Sequence, residues 1–503
     1  MKRLTLWILI LACLASAGLL PAGAEGESYV LAGYDPTQYR VWSENAFFAS
    51  MEEMTGVHFE LKQYTSLSSW EEAKASFTAG ADMPDVLFKA QLTGYECAEM
   101  LDKGVLVDLK PYLETCCPHL WAMIREDDAI LSAITLPDGR IAALPYISET
   151  PTQNVMWINK KFLARTGKDA PTTWDELTDV LRAFRDTDAN GNGDPNDEIP
   201  MGFLGPYDLK YLGHAFGLIC NDYNLFVTDS GEVRYMPAEE RFMQLMTGLR
   251  EWYREGLLDP AGFTSSDVLR RVTDANKPQR CGVIFAPMIT TLFPSEWLED
   301  YVCLMPLRWE GEARYRDVGL HVVRGTFAVT THCRNVGEVL SWADLMYADE
   351  GSVLASVGKK NTDYVIDGDG SWRLTESAKG DSYYTVSHTI TSGAEIPGFS
   401  AEEFHAKFND PGLKTMLEAL HAFNEKCVLP FPYLYLTREE NTRIAALQGN
   451  LGYIVDMQIA RWVLGEEEIT AESGKNFVSA LKEAGLDEFL ALWQGIYDAQ
   501  EGR

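Results

Sequence analysis

From Tyr29 onward the chain alternates short apolar runs with amphipathic ones. Tyr29-Val30-Leu31-Ala32-Gly33 reads as a strand, and Phe47 to Met54 as a helix stopped by Thr55-Gly56. Val57-His58-Phe59-Glu60-Leu61 alternates as a strand should. Trp70 to Ala79 then suits a helix, and Gly80 to Pro84 leads into the apolar run Val86-Leu87-Phe88. Strand, helix, strand, helix, strand predicts a parallel sheet with crossover helices. In open sheets of this class the binding crevice lies beyond the carboxyl ends of the strands, which places Tyr34, Asp35, Lys89 and Gln91 near any ligand.

Leu136-Pro137-Asp138-Gly139-Arg140 reads as a hairpin turn, and Val155-Met156-Trp157-Ile158 as a strand leaving the first lobe. A second lobe is expected to begin with a helix whose N-cap is Thr173, with Glu176 three residues later and Trp174, Leu177, Leu181 and Phe184 on one face. Short strands return at Gly282-Val283-Ile284-Phe285, at Val302 to Met305 and at Thr326 to Val329, and the chain becomes mainly helical after Ala401. No repeat or low-complexity linker interrupts it, so two lobes joined by crossing strands are expected.

With 503 residues, 46% hydrophobic and 23% charged, the composition is that of a globular protein of more than one compact unit. The 43 Lys and Arg against 74 Asp and Glu leave a formal charge of −31, which repels phosphate backbones and argues against a nucleic-acid partner. Met1 to Ala24 has Lys2 and Arg3, an apolar run from Leu4 to Leu20 and a small-x-small exit at Ala22-Gly23-Ala24, the layout of an export signal cleaved near Ala24. The alternative is lipid anchoring at Cys13, since Ile10-Leu11-Ala12-Cys13 loosely resembles a lipobox. The other eight cysteines are scattered without a C-x-x-C pair, which argues against zinc and against a disulfide scaffold and leaves their redox state open.

Several segments, in order, resemble the family 1 extracellular solute-binding proteins. They are Ala81-Asp82-Met83-Pro84-Asp85-Val86, Gly104 to Leu113, Leu136 to Pro145, Met156 to Leu163, Pro171 to Leu177, Tyr253 to Pro260, and the ending from Trp462 to Tyr497. The resemblance implies an α/β, two-lobed periplasmic-binding-protein-like fold of type II, with a ligand cleft between lobes joined by crossing strands. It divides the chain into residues 25–150 with about 306–400, and 151–305 with about 401–503. It further implies a monomer that delivers a sugar or oligosaccharide to the membrane permease of an ABC importer on the outer face of the cell. Two segments depart from the family pattern: the poor lipobox, and Gly358 to Tyr364, which matches the usual Gly-x-x-Gly-x-x-Tyr segment only loosely.

Asp186-Thr187-Asp188-Ala189-Asn190-Gly191-Asn192-Gly193-Asp194-Pro195-Asn196-Asp197-Glu198 has the oxygen spacing of an EF-hand loop when counted from Asp186. Four Asp and one Glu so close together repel one another unless a hard cation sits among them. The reading is one structural Ca²⁺ held by Asp186, Asp188, Asn190, Asn192, Asp194, Asp197 and Glu198, and the similar loops of the family imply the same. For the ligand, aromatic rings can carry apolar sugar faces while carboxylates and amides bond hydroxyls. The expected set is Tyr34, Asp35, Lys89, Gln91, Tyr146, Glu149, Gln153 and Trp157, with Trp174 assigned to a core. H-E-x-x-H, G-x-S-x-G and G-x-x-x-x-G-K are all absent, so catalysis is not expected, although a carboxylate pair of a glycosidase would leave no motif. The competing binding function is a peptide-binding or sensory protein of the same fold.

Overall fold

The computed structural model describes residues 28–125, 128–148, 153–264, 279–289, 292–293, 295–317, 322–379, 382–391, 395–400, 407 and 411–501. The signal segment, Cys13 and Glu149 lie outside them. Strand Ser28–Tyr34 runs parallel to His58–Tyr64 on one side and to Val86–Phe88 on the other, through the helices Ala46–Thr55 and Leu67–Thr78. The strand-helix pattern read from the sequence is therefore present. Asn45 caps the first helix, whose end is Gly56 in the left-handed region at φ 72°.

Three later segments complete a mixed six-stranded sheet. Val322–Val329 lies antiparallel between Val86–Phe88 and Leu144–Ser148, and Gly398–Ser400 adds an outer strand. Leu136 to Arg140 is a turn, but it joins helix Asp128–Ile134 to strand Leu144–Ser148 rather than two paired strands. Successive residues of the central strands face different cores. Leu31, Val86 and Phe88 pack with Trp342 and Met346, while Ala32 and Leu87 pack with Trp70 and Met100.

A four-stranded sheet forms the second lobe, in the order Tyr301–Cys303, Val155–Asn159, Cys281–Ala286, Ile199–Gly202. Met156 and Ile158 face a large core built with helices Trp174–Asp186, Glu240–Arg254 and Arg438–Leu464. Val155 and Trp157 face the opposite layer, where helix Pro411–Asn424 supplies Met416, Leu420 and Phe423. Thr173 caps its helix as expected, although the Glu176 carboxylate accepts from the Thr172 backbone N–H (2.8 Å) and hydroxyl (2.7 Å) instead of closing a box on Thr173. Trp174 stacks on Trp252 at 3.8 Å, with the planes 5° apart. Trp174→Ala is expected to destabilise the protein by about 2 kcal/mol, read as an earlier thermal midpoint.

A short parallel pair, Tyr315–Arg316 with Cys427–Val428, packs beside Trp157 and Phe423 on the second sheet. The Tyr315 hydroxyl donates to the Asn154 carbonyl (2.8 Å), which ties a second passage of the chain to this pair. All eight described cysteines are free thiols, six of them buried. Among the described residues no helix is long and apolar enough to cross a membrane.

Candidate functional site

The carboxyl ends of the first sheet hold charge, but turned inward. Asp35 and Lys89 have no exposed side-chain surface. Asp35 Oδ2 accepts from Lys89 Nζ (3.0 Å), Arg40 Nη1 (3.2 Å) and Trp42 Nε1 (3.1 Å), and Oδ1 from the Thr37 N–H (3.0 Å). Lys89 Nζ also donates to the Ile390 carbonyl (2.8 Å), while Arg40 Nε and Asn45 Nδ2 donate to the Val386 carbonyl (both 3.1 Å). Burial pushes the Lys89 ammonium down to about 8, against the pull of Asp35. Burial opposes ionisation of Asp35 too, but Lys89, the bonds from Thr37 and Trp42, and Arg40 together hold its carboxyl below the ordinary value. This network binds the 386–390 segment to the sheet. The expected ligand role of Asp35 and Lys89 is corrected accordingly: their polar atoms are already used inside the protein.

Trp157 needs the same correction. It is fully buried beneath helix Pro411–Asn424, and its indole N–H donates to the Ala286 carbonyl (3.0 Å). Gln153 is buried; its Nε2 donates to Cys427 Sγ (3.3 Å), and its Oε1 has no partner among the described residues. Tyr34 and Tyr146 are half-buried against the first lobe, and Gln91 is exposed.

A groove of about 430 Å³ lies instead between the lobes. Leu92, Thr93, Gly94, Tyr95 and Arg324 line it from the first lobe, with Asp317 from the passage beyond Tyr315–Arg316. Asn221, Asp222, Tyr223, Leu429, the run Phe431 to Leu436, Asn441 and Trp493 line it from the second. Gln91 adjoins this wall in sequence. Gly325, at φ 72°, lets strand Val322–Val329 approach the loop; a Cβ there would fall 2.0 Å from the Leu92 carbonyl oxygen. Tyr223 and Tyr433 keep 38% and 39% of their surface, enough for one ring face each to be offered. Tyr223 rests on Trp493 (5.5 Å between centroids), which meets Phe431 edge-on at 5.3 Å. Asp222 accepts from Arg316 Nη1 (2.7 Å) and the Tyr211 hydroxyl (3.1 Å), and the Arg316 guanidinium lies 4.0 Å over the Tyr211 ring. Rings, carboxylates, amides and one guanidinium around one cavity are the equipment for holding a polyhydroxylated molecule.

The acidic loop closes on itself from Asp188, not Asp186. Asp186 ends helix Trp174–Asp186, and Arg185 holds its carboxylate at 2.6 and 2.9 Å. Asp188 instead accepts from the N–H groups of Gly191 (2.7 Å), Asn192 (3.0 Å) and Gly193 (2.9 Å), with both glycines in the left-handed region. Asn190 Nδ2 and Asn192 Nδ2 donate to the two Asp197 oxygens at 2.8 and 2.9 Å. Asp194 turns to the Asn196 N–H (3.1 Å). Glu198 Oε1 accepts from the Asn190 N–H (3.2 Å), while Oε2 is buried and has no partner among the described residues; burial raises its carboxyl above the ordinary value. Among the described residues no three carboxylate, imidazole or thiol groups meet as a ready-made metal site.

Residues 46–256 match the family model described as bacterial extracellular solute-binding protein. The chain is 24% identical over 480 residues, 91% of its length and 87% of the relative's, to the fructooligosaccharide ABC transporter substrate-binding protein FusA of Streptococcus pneumoniae. Over that stretch this chain is similar to the extracellular solute-binding proteins. Its fold is theirs. A structure of a FusA EF-hand mutant in complex with fructo-nystose superposes with a TM-score of 0.72 at 22% identity, covering 95% of this chain and 100% of that one. An HMO-binding, ABC-transporter-associated solute-binding protein of Bifidobacterium longum infantis superposes with 0.76 at 20% identity, covering 94% and 99%. In this solute-binding fold the groove stands where two lobes meet, which the strand-end rule did not locate. The aromatic, proline-broken run Phe431-Pro432-Tyr433-Leu434-Tyr435 was the available signal: it fits neither a helical nor a strand period and lies in no regular element.

Proposed function

We propose that this protein captures an oligosaccharide in the interlobe groove and presents it to the permease of an ABC importer outside the cell. The observation that carries this reading is the pair of half-exposed rings, Tyr223 and Tyr433, beside Asn221, Asp222 and Asp317 where the two lobes face each other. The similarity to oligosaccharide-binding transport proteins supports it. Binding ends in release of the intact sugar: Asp222 is committed to an ion pair with Arg316, which keeps it from serving as a proton donor. A signal peptide cleaved near Ala24, or an acylated Cys13, would bring the protein to the outer face.

The loop Asp188 to Glu198 is proposed to hold one Ca²⁺ through Asp188, Asn190, Asn192, Asp197 and Glu198. The fit rests on the stranded Glu198 Oε2 and on two amides turned to the same carboxylate; rotating both amides would present oxygen there instead. The ion would supply charge neutralisation and rigidity to the second lobe.

The test is calorimetric titration with nystose, maltotetraose and lacto-N-tetraose, with chromatography of the sugar afterwards. One of these sugars is expected to bind and to be recovered unchanged, and Tyr433→Ala is expected to weaken it about fivefold with an unaltered melting temperature. Hydrolysis products, or binding of peptides in place of all sugars, would refute the reading.

A further inference from the structure

Arg324 is the groove's unusual residue. It projects from strand Val322–Val329 of the first lobe, and its Nη1 is shut off from solvent with no hydrogen-bond partner among the described residues. A guanidinium carries five donors in a rigid fork, and a stranded buried one is costly unless something arrives to use it. What holds Arg324 in place is the tyrosine pair, through a hydrogen bond to the Tyr435 hydroxyl oxygen and through stacking. Its guanidinium carbon lies 4.5 Å from the Tyr435 ring centroid and 5.8 Å from that of Tyr433.

The Tyr435 ring is itself fixed from both lobes. Its hydroxyl donates to the Ala133 carbonyl (2.6 Å) and its ring lies against Gly94, while Gln500 both accepts from its backbone N–H (2.9 Å) and donates to its carbonyl (2.7 Å). The guanidinium is thus preorganised, its orientation set by a ring that cannot move without parting the lobes. Tyr433, the other ring of the stack, offers the exposed face that the proposed function assigns to a sugar.

Resting on that function, we propose that Arg324 selects the oligosaccharide: its fork donates to hydroxyl and ring oxygens of a neutral sugar unit lying on Tyr433. Charge decides between a neutral and an acidic sugar. An isolated arginine would welcome a uronate, but here Asp222 and Asp317 line the same groove, Arg316 already faces Asp222, and the chain carries −31 overall. With Asp222 and Arg316 cancelling each other, an acidic sugar would gain one guanidinium and meet the Asp317 carboxylate in a strongly acidic chain, whereas a neutral one uses donors and acceptors alike.

The experiment titrates the wild type, Arg324→Gln and Arg324→Lys with nystose, maltotetraose, lacto-N-tetraose and a guluronate trimer, with melting temperatures recorded in parallel. The wild type is expected to bind one of the neutral sugars and not the trimer. Arg324→Gln is expected to lose at least about tenfold in affinity at an unchanged melting temperature. Arg324→Lys is expected to recover only part of it, because an ammonium keeps the charge without the planar fork. Unaltered affinity in both folded variants overturns the role of Arg324 while leaving the sugar function standing. Preference for the guluronate trimer overturns the neutral class alone, and no binding of any saccharide by the wild type overturns both.

Discussion

Asp35→Ala is expected to cost about 3–5 kcal/mol, the largest single-residue loss that the described network supports, because it strands two buried cations without their shared counter-ion. Lys89 Nζ and Arg40 Nη1 both meet Asp35 Oδ2, and neither group of that ion-paired trio has side-chain exposure. Lys89→Met on the wild-type background should cost far less, since the Asp35–Arg40 pair survives it. The two substitutions together are expected to be milder than Asp35→Ala alone, a non-additivity that urea titration of the four proteins of the cycle would read. Lys89 also sets a pH dependence. Its folded value is near 8, whereas in the unfolded chain it holds its proton to about 10.4. Between those values the unfolded state binds more protons, so this lysine's contribution to stability rises with pH across that window, and Lys89→Met removes the slope. Asp35 acts in the acid range: its depressed carboxyl contributes stability above the ordinary Asp value, which is lost as pH falls through the folded one. Equal losses for Asp35→Ala and Lys89→Met would show that the network does not work as a shared ion pair.

That network also shows what a sequence can and cannot disclose here. The strands were legible because both faces of each central strand are covered, so Val86-Leu87-Phe88 and Val155-Met156-Trp157-Ile158 run apolar without a break. The same lack of alternation already implied that Trp157 has no face to give a ligand. The direction of Lys89 was not legible. It depends on a left-handed backbone at Lys89 (φ 52°) and Gln91 (φ 49°) just past the strand, a conformation that no residue type there announces. The groove was hidden for a different reason. Its walls come from residues 92–95, 221–223, 317, 324, 429, 431–436, 441 and 493, which only long-range packing of two lobes brings together. Local signals, such as the cap at Thr173 and the Trp174 face, needed no such packing and appear as read.

The acidic loop was legible as chemistry, and its register, counted from Asp186 in the sequence and from Asp188 in the folded loop, is what the calcium prediction tests. Helix Trp174–Asp186 continues through Asp186, whose carboxylate Arg185 takes, so the first loop oxygens are those of Asp188. Added Ca²⁺ at 100 times its dissociation constant is expected to stabilise the folded protein by about 2.7 kcal/mol. At roughly 2–4 °C per kcal/mol for a lobe of this size, the melting temperature should rise by about 5–10 °C. Asp188→Ala is expected to abolish this rise, since it removes both a ligand and the acceptor of three loop N–H groups. Glu198→Gln is the sharper variant. It keeps the size of the side chain and removes the buried negative charge, so without calcium it should melt no earlier than the wild type, while calcium should stabilise it far less. Asp186→Ala, by contrast, should bind calcium nearly as the wild type does. If Asp186→Ala abolishes the calcium-dependent rise and Asp188→Ala leaves it intact, the loop binds in the frame counted from Asp186, and the ligand set built on Asp188 is wrong.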